Sequence, residues 1–378
     1  MSAYNNSLRD AVIWDLPTRV FHWSLVISFT TAWITAENDL FLYHHVFAGY
    51  AFVGLLIFRL IWGVIGSQYA KFRSFAYDWP SATSYVKALL TGKAARHIGH
   101  NPAGSYAIFA MIIMGFLVAL SGLIVLGGEE GHGPLKGLIS HELGMMSKEL
   151  HEGTASFMLL IVILHLGGVI VESFYHKENL IWSMFSGRKT TPQSETDVNV
   201  SSLVAVLMLG VIFASASYYF YDYITQTTER PFLAFTSDPL PDNQAWQDAC
   251  GECHLAYHPT LLPARAWQRI LNEQDTHFDE DLSLDEAVIV EIRQFLTANA
   301  SEQGLTEAAH KMINSIPADS APLRITETKY WRKKHSDIDD KFWNSDLVGS
   351  KANCEACHRD AKQGWFEDSN MQLPKLQP

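Results

Sequence analysis

The chain has only four cysteines and few charges. It carries no nucleotide-binding glycine loop, no nucleophile triad and no basic patch suited to nucleic acid. Those absences exclude phosphate-cradling chemistry, covalent hydrolysis and DNA or RNA binding. Lys, Arg, Asp and Glu make up 18% of 378 residues and the mean hydropathy is close to zero. That average conceals an apolar N-terminal half and a polar C-terminal one. Divided after Asp222, the first part holds 13 Lys and Arg against 15 Asp and Glu, and the remainder 15 against 25. The acidic balance therefore belongs to the C-terminal part, and the length accommodates two domains.

All four cysteines fall in one repeated pattern, Cys250-Gly-Glu-Cys253-His254 and Cys354-Glu-Ala-Cys357-His358. Two Cys-x-x-Cys pairs can make a tetrahedral zinc cage or two disulfides, but neither requires a histidine directly after each pair. Covalent haem attachment does: each cysteine pair bonds one porphyrin and the histidine becomes an axial iron ligand. Two c-type haems are expected on His254 and His358, and such haem is attached on the oxidising side of a bacterial inner membrane.

Five runs are long and apolar enough to be read as membrane spans, at about 20–36, 46–66, 105–127, 153–171 and 198–221. The first is short and reads as a signal anchor. The third and fifth contain neither a charge nor a histidine, and the second carries a single charge, Arg59. Lys and Arg gather in cytoplasmic loops. The N-terminus and the loops 67–104 and 172–197 hold ten: Arg9, Arg19, Lys71, Arg73, Lys87, Lys93, Arg96, Lys177, Arg188 and Lys189. The opposite loops hold two, Lys136 and Lys148. The N-terminus is thus expected in the cytoplasm, and five crossings deliver everything after Tyr221 to the periplasm, where haem c is attached.

Histidines inside the first four spans come next. His151 and His165 are fourteen residues apart on one predicted helix, about 21 Å of rise and within about 40° of one face. By depth, His22 pairs with His165, and His44 or His45 with His151. Two b-type haems, each held by two imidazoles from different helices, fit this arrangement. Interfacial histidines without metal are the plain alternative, and it is weakest for His165, deep in an uncharged helix. Arg59, fourteen residues after His45, either snorkels or neutralises haem propionates at the inner level, and Arg19 invites the same expectation. His97, His100, His132, His141 and His176 read as loop residues.

The first 190 residues or so resemble the bacterial di-haem four-helix cytochromes b, which include the cytochrome b subunit of nickel-iron hydrogenases and the cytochrome b561 group. The resemblance rests on Trp14-Asp-Leu-Pro-Thr-Arg19-Val-Phe-His22-Trp, His45-Val-Phe-Ala-Gly49-Tyr50, Phe58-Arg59-Leu-Ile-Trp62-Gly, His100-Asn-Pro-Ala-Gly104, His151-Glu152-Gly, His165, and His176-Lys-Glu-Asn179-Leu through Gly187-Arg188-Lys189. It implies His45, not His44, as the ligand, and quinone-linked electron transfer. Residues from about Ser237 to Pro374 resemble the small di-haem cytochromes c. That likeness rests on Cys253-His254-Leu-Ala-Tyr257-His-Pro259, Leu262-Pro263-Ala264, Trp267, His277-Phe278, Arg324-Ile-Thr326, Trp331, His335 and Asn353-Cys354-Glu-Ala-Cys357-His358. It implies two histidines per iron, with His277 and His335 as distal ligands, and leaves open which serves which haem. Among other distal candidates, His258, His310, Met312 and Met371 read as ordinary surface side chains.

The whole is expected to be all-α, with domains at 1–190 (di-haem b bundle), 191–241 (fifth transmembrane helix and linker) and 242–378 (periplasmic di-haem c domain). Linkers are expected at 191–197 and 229–242. Two haems b, two haems c and possibly quinone are the expected cofactors. The expected function is electron transfer between the quinone pool and a periplasmic redox protein, toward which an acidic domain favours a basic surface. A redox enzyme with an open haem, acting on oxygen, superoxide or a nitrogen oxide, is the alternative from another class. A haem-bearing anchor subunit of a hydrogenase or dehydrogenase is a third.

Overall fold

Lipid offers peptide groups no water to bond with, so each spanning segment must satisfy its own backbone, and the apolar runs are helices. A computed structural model of the chain describes residues 8–192, 197–198, 202–225 and 239–376. In chain order the elements are β1 (Leu8–Val12), α1 (Leu16–Ile34), α2 (Leu42–Ile65), α3 (Trp79–Leu90), α4 (Pro102–Gly128), α5 (His141–Tyr175), α6 (Leu180–Ser186), β2 (Arg188–Pro192) and α7 (Ser202–Ile224). The C-terminal part adds α8 (Gln244–Gly251), α9 (Ala264–Asn272), α10 (Glu286–Ala298), α11 (Glu307–Ser315), α12 (Lys329–Lys334) and α13 (Asp340–Trp343).

Four of these helices, α2, α4, α5 and α7, are long and apolar enough to cross a membrane. The first expected span is observed as α1 but is not among the four, because its 19 residues include Arg19, His22 and several Ser and Thr. The fourth expected span is longer than its apolar run: α5 begins at His141, so that residue opens a helix rather than sitting in a loop. The chain is mostly helical, as expected; beside the helices the described residues form one small antiparallel sheet, in which β1 pairs with β2 from Leu8 opposite Pro192 to Val12 opposite Arg188. Thr191, expected in a linker, belongs to β2. The remainder of the linkers expected at 191–197 and 229–242 lies largely outside the described residues.

Contacts divide the chain into two units, one of residues 1–122 and 148–221, the other of 123–147 and 222–378. In the first, local signals fix the start of the bundle. Asp15 caps α1 by accepting from Thr18 N at 2.7 Å, with Pro17 in the first turn. The same carboxylate accepts from Trp62 Nε1 at 3.4 Å and from the Ser67 hydroxyl, which ties α1 to the end of α2. Gly187 ends α6 at φ +78, where its carbonyl accepts from Ile13 N and Trp14 N; a Cβ there would stand 2.6 Å from the Trp14 carbonyl. Left-handed geometry and close approach both favour glycine.

The second unit packs α8 to α11 around a core of Trp246, Leu262, Trp267, Ile292, Phe295, Leu296 and Met312. Met312 and His258, expected at the surface, are buried at 3% and 8% exposure because their helix and turn face this core. Residues 123–147, from the end of α4 to the start of α5, belong to the same unit: His132 Nε2 lies 2.7 Å from Glu367, and His141 stacks on His310 with ring centres 4.6 Å apart. His132 lies in the loop between α4 and α5, as expected, but it is buried there.

Candidate functional site

Burial of an imidazole disfavours its charged form, and only the neutral ring offers a lone pair to a metal. A second partner on Nδ1 then settles which nitrogen is left over. His45 lies near the start of α2, with Nδ1 2.8 Å from the Ala32 carbonyl. His151 lies in α5, with Nδ1 2.9 Å from the Val118 carbonyl and 3.2 Å from the Ser121 hydroxyl. In both rings an Nδ1–H donating to these acceptors leaves Nε2 free. Their centres are 5.9 Å apart with planes at 81°. Gly122 keeps α4 close to this pair, since a Cβ there would come within 2.9 Å of the His151 ring. His44 turns instead toward Phe41, Tyr219 and Phe220, a packing contact with α7.

At the other end of the bundle, His22 of α1 and His165 of α5 are close enough for their charges to interact. His100 joins them. Its ring packs between Trp14 at 4.8 Å and Phe75 at 4.4 Å, and it interacts electrostatically with Arg59, His165, Lys189 and His22. It lies in the loop just before α4, and burial at the packed end of the bundle pushes its pKa down to about 3. Arg59 does not snorkel. It is 6% exposed, donates to the Ala70 carbonyl at 3.0 Å, and lies over Phe72 with 4.5 Å to the ring centre. Arg19 donates to the Phe185 carbonyl at 2.6 Å.

In the second unit, Cys250 lies in the last turn of α8 and Cys354 opens a short 3-10 turn; burial raises both thiols to about 11. The four thiols form no disulfide. Among the described residues no three His, Cys, Asp or Glu converge to hold a bare ion, so a zinc cage has no ligand set there. The histidines after each motif face the two sequence-derived distal candidates. His254 and His277 have ring centres 6.5 Å apart, and His358 and His335 6.1 Å apart. The open question of pairing is thereby given a geometric answer: His277 lies with the first motif and His335 with the second. Burial lowers the pKa of His277, His335 and His358, the last to about 4. His254 Nδ1 lies 2.7 Å from the Leu255 carbonyl, and His335 Nδ1 2.8 Å from the Trp331 carbonyl, with the Trp331 ring stacked on His335 at 4.2 Å.

Sequence reading missed Tyr257 as a link between these sites. It stacks on His254 at 4.7 Å, and its hydroxyl donates to the carbonyl of Ala352, two residues before Cys354, at 2.8 Å. Burial pushes that hydroxyl up to about 12.

These spacings can be tested against a porphyrin iron. A metal–imidazole bond is about 2.0 Å and the ligating nitrogen is just over 1 Å from its ring centre, so two rings on one iron have centres about 6.3 Å apart. The values of 5.9, 6.1 and 6.5 Å bracket that figure.

Comparison with known proteins gives two domains. Residues 13–187 match the family model described as prokaryotic cytochrome b561, and residues 246–366 the model described as dihaem cytochrome c. A probable Ni/Fe-hydrogenase B-type cytochrome subunit from Cupriavidus necator is 22% identical over 231 residues, covering 50% of this chain and 90% of that protein. A diheme cytochrome c from Rhodobacter sphaeroides is 32% identical, covering 34% of this chain and 100% of that one, with a TM-score of 0.31. The diheme cytochrome type c of Shewanella baltica OS155 is 28% identical, covering 35% and 94%, with a TM-score of 0.29. The chain is therefore a membrane electron-transfer protein that joins a haem b domain of the prokaryotic cytochrome b561 family, residues 13–187, to a haem c domain of the dihaem cytochrome c family, residues 246–366.

Proposed function

We propose that the chain is a four-haem wire, with two haems b inside the bilayer and two haems c in the periplasm, that passes electrons between quinone and a periplasmic redox partner. His22 with His165 and His45 with His151 hold the haems b. Thioethers from Cys250 and Cys253, with His254 and His277, hold one haem c. Cys354 and Cys357, with His358 and His335, hold the other. Arg19 and Arg59 stand at the inner level as partners for propionates. On this reading the domains are a di-haem b bundle at 1–190, a fifth transmembrane helix and linker at 191–241 and a di-haem c domain at 242–378. The N-terminus lies in the cytoplasm of an inner membrane, in keeping with ten Lys and Arg on one side against two on the other. Bound haem supplies the one-electron chemistry; the protein supplies axial ligands, burial and orientation.

One spacing recurring in three histidine pairs carries this reading, because it is the spacing of rings that share an iron. It also leaves no open sixth position for a small-molecule substrate at those three. Pyridine haemochrome analysis of the purified protein should give two extractable and two covalent haems. His151→Ala should remove one extractable haem and leave both covalent ones. The reduced protein should not bind carbon monoxide. A strong carbon monoxide adduct, or fewer than two extractable haems in the unmodified protein, would overturn the assignment.

The likeness to a hydrogenase cytochrome subunit favours a second reading, in which the b domain serves a catalytic partner in the membrane. Co-purification of a large redox subunit under mild detergent would select it over a free-standing wire.

A further inference from the structure

A buried polar cluster in the transmembrane unit takes no part in holding haem. Tyr85 of α3 donates a short hydrogen bond to Glu172, in the last turn of α5. Glu172 is 8% exposed, and its carboxylate lies 3.6 Å from Nε2 of His176, one turn further on. That nitrogen is buried and makes no hydrogen bond. Beside them Arg96 forks onto Glu178 with two bonds of 3.1 Å. Lys189, 5% exposed, stands 3.5 Å from Glu178 and 3.4 Å from the His97 carbonyl. A cavity of about 30 Å³ opens among Arg96, Asn101, Glu172, His176, Glu178 and Lys189. That volume holds about two waters, and its walls give each the polar partners a buried water needs.

Two cations and two carboxylates balance around this cavity, so it is poorly suited to an anionic ligand. Its walls do carry a carboxylate and an imidazole, side chains that take and give protons, and the Tyr85 phenol bonds to that carboxylate. It also adjoins the inner end of the bundle, because Lys189 interacts with His100, which in turn interacts with Arg59, His22 and His165.

We propose that Glu172, His176 and the water of this cavity exchange protons between bulk water and a quinone reacting beside the His22–His165 pair. The inference rests on the quinone-linked reading above. Oxidation of one quinol yields a quinone, two electrons and two protons. The electrons leave singly into the haem chain. The protons pass one at a time to the Glu172 carboxylate, to Nε2 of His176 and out to water. Quinone reduction runs the same path inward. Tyr85 is a positioning residue: burial keeps its hydroxyl protonated far above neutral pH, so it acts as a fixed donor to Glu172. Arg96, His97, Tyr175, Glu178 and Lys189 are the other titratable or charged groups facing the path, Tyr175 with its ring 4.7 Å from that of His176, and burial lowers the Lys189 ammonium.

The test uses the full-length protein in liposomes, with decylubiquinol as reductant and the haem b absorbance followed by stopped flow. Glu172→Gln and His176→Ala should each slow quinol-driven reduction about tenfold or more. Haem content, dithionite-reduced spectra and midpoint potentials should match the unmodified protein. Added imidazole should restore part of the rate to His176→Ala, and the acid limb of the pH–rate profile should shift in that variant. Tyr85→Phe should slow the rate less. Unchanged rates and pH profiles in both main variants, with quinol-active unmodified protein, would overturn the relay. An unmodified protein that dithionite reduces but quinol does not would overturn the quinone reading and the relay together. Should Glu172→Gln fail to retain haem b, His176→Ala with imidazole rescue decides alone.

Discussion

Four of the eight expected iron ligands are imidazoles whose surroundings select one of their two nitrogens. His45, His151, His254 and His335 each have a backbone carbonyl within 2.9 Å of Nδ1, which leaves Nε2 outward. The ring of His258, which is buried, is used differently. Its Nδ1 accepts from Thr260 N as the cap of a short turn and lies 2.8 Å from the Thr260 hydroxyl, and Gly364 packs so closely that a Cβ would fall 2.2 Å from the ring. Burial lowers its pKa from 6.5 to about 4. Above pH 6.5 neither folded nor unfolded chain protonates it, and the residue is neutral in the balance. As pH falls from 6.5 toward 4 the unfolded chain takes up a proton that the folded one refuses. Stability is then lost progressively, up to roughly 3 kcal/mol below pH 4. Asp360, raised by burial to about 6, acts with the opposite sign in the same range, so the comparison must be between variants. His258→Gln should lose less melting temperature than the unmodified protein between pH 7 and 4.5, as read by thermal scans of the haem c domain's near-ultraviolet dichroism.

At the scale of elements, the bundle depends on caps as well as on apolar length. Asp15 is 3% exposed and serves α1, Trp62 and Ser67 together. Removing it takes away the α1 cap, worth about 1 kcal/mol, and leaves buried donors without an acceptor at a further 1–3 kcal/mol or so. Asp15→Ala should therefore lower the temperature at which haem b absorbance is lost in detergent by several degrees, and Asp15→Asn, which keeps a capping oxygen, by less. The Asp15 charge also interacts with Arg59, and equal losses in both variants would mean that this charge, not the cap, is what matters there.

For the whole molecule, charge asymmetry makes a topological statement that the fold of either unit does not. Alkaline phosphatase, active only outside the cytoplasm, should be active when fused after Thr225 and inactive when fused after Lys93. The reverse pattern would invert the chain in the membrane and remove the periplasmic setting that haem c attachment needs.

The covalent haem motifs, the apolar runs and the ten-to-two charge bias are local or additive properties, and so they are legible in the sequence. So was the resemblance to both families. The small β1–β2 sheet was not, because its strands are 175 residues apart and each is too short to show a pattern. The early start of α5 was missed because the polar turns from His141 look like a loop until they pack. Buried His100, His132 and His258, and the Tyr85–Glu172–His176 cluster, were missed for the same reason: polar side chains carry no sequence mark of being inside. By itself the sequence determined which residues are able to bind haem and which segments favour lipid, since bond chemistry and transfer from water depend on residue type. Which rings face one another across an iron's width, and which charges close around the inner cavity, was decided only by tertiary packing, since those distances join residues remote along the chain.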